Sequence, residues 1–113
     1  MKYAILLYGN EAAYAALDAD AGTELYAEHE KFGARFGDKL AGGAELKPST
    51  TATKITRAGG EPLVTDGPYA ETAEQLGGFY LVEARDLDEA TRIAEAVPTL
   101  PGDVVEIRPL VER

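Results

Sequence analysis

The chain contains two nearly uninterrupted apolar segments, each with the length of one β-strand. The first, Tyr3–Tyr8, stops at Gly9, and the second, Phe79–Ala84, is apolar apart from Glu83. Segments of this length without polar alternation are typical of strands buried on both faces of a sheet. A further segment, Val104–Arg108, predicts the last strand of the chain.

A long amphipathic helix is predicted between these strands, over Asp20–Leu40. Its apolar positions recur at spacings of three and four residues, and they are Leu25, His29, Phe32, Phe36 and Leu40. Either Asp18 or Asp20 can serve as the N-cap of this helix. Gly33 and Gly37 are unfavourable inside a helix by about 1 kcal/mol each relative to Ala, so we interpret them as points of close approach to the sheet. Gly42–Gly43 is predicted to end the helix.

A second helix and a hairpin complete the predicted elements. Asp86 and Glu89 have the spacing of a capping box at the start of this helix, and Pro98 ends it. Thr51–Arg57 alternates and is rich in β-branched residues, which predicts a half-exposed strand. The chain then turns at two glycines and returns along Leu63–Thr65, which predicts a β-hairpin.

The order of these elements predicts a single α+β domain over residues 1–113. It corresponds to a ferredoxin-like βαββαβ pattern with an extra β-hairpin. Both helices are expected on one face of an antiparallel sheet. The other face also needs a cover, because the long strands are apolar on both sides. The simplest cover is the same face of a second copy, so we expect a homodimer through the open sheet face.

The most distinctive motif follows the predicted hairpin. Asp66–Gly67–Pro68 stops the strand, because Asp and Gly favour turns and Pro has no N–H for a ladder. The polar segment Glu71–Gln75 is interpreted as one helical turn, and Gly77–Gly78 leads into the next strand. Asp66 either presents its carboxylate over the sheet from a rigid turn or only caps that turn.

This motif resembles the signature of the YCII-related proteins. The similarity lies in Asp66–Thr72 and Glu74–Tyr80, and it is greatest to the subgroup with an Asp-Gly-Pro-Phe motif, with Tyr69 in place of the Phe. It extends from Met1 to Pro109, nearly the whole chain. The resemblance implies a dimeric α/β barrel. It implies less about function, because the activities of that family are mostly unestablished.

The resemblance also implies a candidate acid–base pair. YCII-related proteins are thought to use a His–Asp pair, and the single histidine, His29, and the motif carboxylate, Asp66, match those positions. Physically, the carboxylate would hold one ring nitrogen while the other acts on substrate. The alternative is that His29 is an ordinary histidine at the rim of the core.

Four further residues are candidates for binding substrate. Tyr3, Tyr69 and Tyr80 have aromatic rings that could line a cavity, and Glu71 lies close to the motif. The alternatives are that the tyrosines are core aromatics with hydroxyls at the rim and that Glu71 caps the following turn.

Composition narrows the function classes. A formal net charge of −9 argues against binding a nucleic-acid backbone or an anionic membrane. The absence of cysteine excludes disulfides and thiolate chemistry, and no nucleotide-binding fingerprint is present. With one histidine we expect no metal and no cofactor. No signal peptide or long apolar run is visible, so a cytoplasmic protein is predicted.

Two functions remain open at this point. The first is a cofactor-independent enzyme that performs proton abstraction, elimination, isomerisation or hydrolysis on a small molecule. The related dimeric α/β barrels include lactone isomerases and cofactor-free monooxygenases, which is an analogy of fold only. The second is a non-catalytic ligand-binding or regulatory module, since members of the subgroup are often associated with extracytoplasmic-function sigma factors. A purely structural domain without a pocket is the third, least favoured reading.

Overall fold

Ten helices and strands build the chain, and the computed structural model describes all of residues 1–113. In order they are β1 (Lys2–Asn10), α1 (Glu11–Ala15), α2 (Ala19–Phe36), β2 (Leu40–Glu45), a 3₁₀ turn (Ser49–Thr51), β3 (Thr53–Ala58), β4 (Glu61–Asp66), β5 (Glu74–Glu83), α3 (Leu87–Glu95) and β6 (Val104–Pro109). No helix is long and apolar enough to cross a membrane.

Four strands form the main sheet, in the order β2-β5-β1-β6. Each neighbouring pair is antiparallel, and the α+β arrangement is consistent with a ferredoxin-like fold. One face carries Tyr3 and Ile5 of β1 and Val82 of β5, and these pack with Phe32 of α2. The core is completed by Ala84, just after β5, and by four residues of α3 and its C-terminal turn: Ala90, Ile93, Ala94 and Val97. The prediction that both helices lie on one face is therefore confirmed.

The opposite face of the sheet is not covered by α2 or α3. The residues that alternate with the core residues along β1 and β5 point to this face. They form the cross-strand pairs Ala4–Leu81 and Leu6–Phe79. None of these four belongs to the core cluster or packs against it. Val104, at the start of β6, is 55% exposed. This face is a mostly apolar surface of the single chain.

The long helix is shorter at its C-terminal end than predicted. Asp18 caps α2 through a hydrogen bond from Ala21 N, but the helix stops at Phe36, with Gly37 as the C-cap. Leu40, which continues the helical spacing, instead begins β2. The apolar period alone could not locate this boundary, because strand residues can extend the same stripe by chance.

Three predictions about glycines were wrong. Gly42 and Gly43 do not end the helix but lie inside β2, where a side chain at Gly43 would meet the backbone of β5. Gly33 does not mediate close packing, because a Cβ placed there would have no atom within 4 Å. At Gly37 a Cβ would meet the helix's own carbonyl of Gly33, at 3.0 Å, and not the sheet.

The hairpin β3–β4 forms as predicted but stands apart from the main sheet. Ala58 pairs with Glu61 across a turn in which Gly59 and Gly60 both have positive φ. β3 and β4 pair only with each other, and all of their residues except Lys54 and Thr65 are exposed. We call residues 53–66 the arm and the rest of the chain the body.

Two sets of hydrogen bonds fix the base of the arm. Glu11 of α1 accepts from both the backbone N–H, at 2.6 Å, and the hydroxyl of Ser49. On the return, Gln75 donates its side-chain amide to Ala70 O and Thr72 O, at 2.7 and 3.0 Å. The helical turn predicted for Glu71–Gln75 was wrong, because β5 already begins at Glu74.

Candidate functional site

His29 lies on α2 where this helix passes over β5. Its Nδ1 is 2.7 Å from the hydroxyl oxygen of Tyr80, a hydrogen-bond distance. The two rings are stacked, with centroids 6.1 Å apart and planes inclined by 22°. The other ring nitrogen, Nε2, has no hydrogen bond within the chain. The imidazole is therefore oriented by Tyr80 and keeps one nitrogen free for another molecule.

Core packing holds this pair of rings in place. The Tyr80 ring lies 4.9 Å from that of Phe32, one helical turn after His29, and Phe32 is 4% exposed. Tyr80 shares the helix-covered face of the sheet with its neighbour in register, Ile5. Since Phe32 and Ile5 belong to the core, the His29–Tyr80 pair lies on a rigid support.

Burial and one carboxylate determine the protonation of the pair. Burial lowers the pKa of His29 from its usual value, and the negative charge of Glu45 partly opposes this effect. Burial, and then the same carboxylate, raise the pKa of Tyr80. Both directions favour a neutral imidazole and a neutral phenol at pH 7.

The direction of the hydrogen bond decides what the free nitrogen can do. If Tyr80 donates its O–H to Nδ1, then Nε2 carries the proton and acts as a donor. If Nδ1 carries the proton and donates to Tyr80, then Nε2 has a free lone pair and acts as a base. The heavy-atom geometry fits both tautomers.

The edge strand β2 shapes the site through an unusual backbone. Gly43 pairs with Tyr80 and has a φ of +149°. A Cβ at this position would lie 2.5 Å from Phe79 O and 3.3 Å from the Tyr80 ring. Two residues later, Glu45 ends the strand. No sequence pattern points to Glu45, because its position relative to His29 depends on the register of β2 against β5.

Asp66 is not joined to His29 within the chain. It is the last residue of β4, is exposed and pairs with Thr53 across the arm. Its carboxylate makes no hydrogen bond or ion pair inside the chain, and the ring nitrogen of His29 that has a partner, Nδ1, is bound to Tyr80. The two predicted catalytic residues therefore lie on different parts of the molecule, one on the body and one on the arm.

The other predicted residues lie in three different environments. Tyr3 is 2% exposed and belongs to the hydrophobic core. Tyr69 is 94% exposed, at the base of the arm. Glu71 is exposed and its carboxylate makes no hydrogen bond within the chain. Among these candidates, Tyr80 is the residue that contacts His29.

Comparison with known proteins identifies the family. The YCII-related domain matches the whole of residues 1–113. An uncharacterized protein from Rhizobium meliloti (strain 1021) is 34% identical over 114 aligned residues, which cover 97% of this chain and 92% of that protein. The family's function is uncharacterized. With the family match over its full length and a relative of this similarity, the chain belongs to the YCII-related family.

Proposed function

We propose that this protein is a cofactor-independent acid–base catalyst that acts on a small organic molecule through His29. The observation that carries the proposal is the 2.7 Å hydrogen bond between His29 Nδ1 and Tyr80. It fixes the orientation of a half-buried imidazole and leaves Nε2 free. A base that is neutral at pH 7 and held on a rigid support meets the main requirements for general base catalysis.

The proposed step is proton abstraction next to a carbonyl group. The C–H bond breaks, its proton forms a bond with Nε2, and the electron pair moves to the carbonyl oxygen as an enolate. In a substrate with a β,γ double bond the enolate is conjugated, and return of the proton to the γ-carbon completes an isomerisation. Tyr80 acts as a positioning residue: in the proposed tautomer its oxygen accepts a hydrogen bond from Nδ1–H, which leaves Nε2 with a free lone pair.

A second copy of the chain is part of the proposal. The apolar open face of the sheet is the surface through which a two-fold homodimer, and with it a dimeric α/β barrel, would form. Asp66 enters the site only in such an assembly, because it is exposed at the end of the arm and makes no hydrogen bond to His29 of its own chain. In the dimer we assign Asp66 as a second acid–base group, beside the His29 of the other copy.

The test uses hydrogen–deuterium exchange at carbon, followed by ¹H NMR in D₂O. The probes are 2,4-pentanedione, 3-oxobutanoate and a β,γ-unsaturated γ-lactone. We expect the parent to accelerate exchange, and His29→Gln to reduce the rate by about 100-fold or more, the usual contribution of a general base. Tyr80→Phe, which keeps the ring and removes the hydroxyl, should fall between the two.

Exchange rates that are equal in the parent and in His29→Gln for all three probes would overturn the catalytic proposal. Under the alternative of a binding or regulatory module, the glutamine variant keeps the properties of the parent. Because His29 is the only histidine, its NMR signals are unambiguous. The ¹⁵N shifts of its ring then report the tautomer directly in the parent and in Tyr80→Phe.

A further inference from the structure

We infer that the arm packs one of its two faces onto the body of a second copy of this chain. The inference rests on the second copy proposed above and adds a contact beyond the open sheet face. The pairing of β3 with β4 defines the two faces. Ile55 lies opposite Val64 on one face, whereas Thr56 lies opposite Leu63 on the other.

The first of these faces is an exposed apolar surface. Ile55 and Val64 are 63% and 60% exposed, although they form a cross-strand pair of the kind that stabilises sheets when covered. An isolated two-stranded hairpin is at best marginally stable in water. Because the body of its own chain does not cover the arm, a second molecule is the natural source of the missing packing.

The dimensions of the chain agree with a missing partner. Its accessible surface is 7949 Å², whereas a compact monomer of 12.0 kDa exposes about 6,000 Å². The Cα radius of gyration is 16.0 Å, against about 13 Å for a compact domain of this length. The excess surface is larger than the roughly 800 Å² that each partner buries in a standard interface.

Charge favours the arm as the segment that approaches another copy. The chain carries −9 in total, but the arm contains Lys54 and Arg57 against Glu61 and Asp66 and is therefore neutral. A neutral arm can contact an acidic body without the repulsion that two acidic surfaces would experience. Pro62 lacks an edge N–H donor, which favours contact through a face of the arm over strand addition at its edge.

The docked face also includes Asp66. In the register of the hairpin, Asp66 lies two residues beyond Val64 and so points to the same side as Val64 and Ile55. Docking of this face therefore brings the motif carboxylate onto the surface of the second copy. It explains physically why the turn motif follows directly after an apolar strand that its own chain leaves uncovered.

The experiment compares two matched double variants by sedimentation equilibrium. Ile55→Lys/Val64→Lys places two lysines on the inferred docking face, and Thr56→Lys/Leu63→Lys places two on the opposite face with the same change in net charge. We expect the first to raise the dimer Kd by about 10-fold or more, and the second to stay within about threefold of the parent. Equal effects of the two variants would overturn the inference.

A mixed-label NMR experiment provides a second readout. The chain has no cysteine, so Thr56→Cys gives a unique site for a nitroxide on unlabelled protein, which is then mixed with ¹⁵N-labelled parent. Broadening of body amides in the labelled chain is expected. A dimer without such broadening would overturn the arm contact but not the dimer, and a parent that is monomeric would overturn both. A monomeric parent would also remove the role proposed for Asp66 across the dimer. It would leave the role of His29 to be decided by the exchange test, because the His29–Tyr80 pair lies within one chain.

Discussion

The carboxylate of Glu45 opposes the burial that lowers the pKa of His29. We therefore expect Glu45→Gln to lower the pKa of His29 further, because it removes the one negative charge that stabilises the imidazolium. NMR titration of the single histidine measures this directly. Lys54→Gln, which changes one charge on the arm, serves as a control for a change in charge on another part of the chain. An unchanged pKa in Glu45→Gln would show that burial alone sets it.

The lowered pKa of His29 also makes folding stability depend on pH. Between the folded pKa and about 6.5, the unfolded chain binds more protons than the folded chain, so the free energy of unfolding decreases as the pH falls through this window. The pKa values of Glu83 and Glu89 are also lowered, but these groups change the stability only below about pH 4.5, which is outside the window of His29.

We accordingly expect the parent to lose more stability than His29→Gln when the pH is lowered from about 7.5 to about 5.5. Urea unfolding at the two pH values measures the difference for each protein. His29→Gln also changes the contact with Tyr80, so its free energy of unfolding differs from that of the parent at every pH. The quantity to compare is therefore the loss of this free energy between the two pH values in each protein. Parallel losses in the two proteins would contradict a lowered pKa in the folded state.

At the scale of elements, the glycines of β2 and α2 have opposite roles. Gly43→Ala should destabilise the protein by more than about 1 kcal/mol, because its φ of +149° and the 2.5 Å approach to Phe79 O both disfavour a Cβ. Gly33→Ala should stabilise it by about 0.5–1 kcal/mol, since the added methyl group meets no atom within 4 Å and glycine is a poor helix former. Thermal unfolding of both variants tests the pair, and destabilisation by Gly33→Ala would contradict the assigned geometry.

The sequence predicted β1, α2, the hairpin, β5, α3 and β6, but not the extent of β2 or all of the other ends. Long apolar segments identified β1 and β5, and the capping residue Asp86, which accepts from Glu89 N at 2.9 Å, identified α3. The boundary between α2 and β2 was missed because Leu40 continues the helical spacing after the chain has changed direction. The capping box predicts that the Glu89 carboxylate accepts from the backbone N–H of Asp86. It accepts instead from that of the preceding residue, Arg85, at 2.9 Å.

The candidate site was predicted in part, for a related reason. The helical pattern and the family resemblance selected His29. Which of the tyrosines contacts it could be seen only from the way α2 packs on β5. Glu45 could not be found, because nothing near it in sequence distinguishes it from other exposed glutamates. A contact between a helix and two strands is a property of tertiary packing, which hydrophobic periodicity does not encode.

At the scale of the whole molecule, charge should control self-association. Each chain carries −9, so two copies repel each other at long range, while the inferred contacts are apolar. Salt screens this repulsion, with a Debye length of about 30 Å at 0.01 M and about 3 Å at 1 M. We therefore expect the dimer Kd to decrease several-fold when NaCl is raised from about 0.02 M to about 0.5 M.

Sedimentation equilibrium at both salt concentrations measures this change in Kd. The variant Ile55→Lys/Val64→Lys has a net charge of about −7 and is expected to show a weaker salt dependence. A Kd that increases with salt would instead mean that ion pairs between the copies hold the dimer together, and the apolar faces would then not be its main contacts.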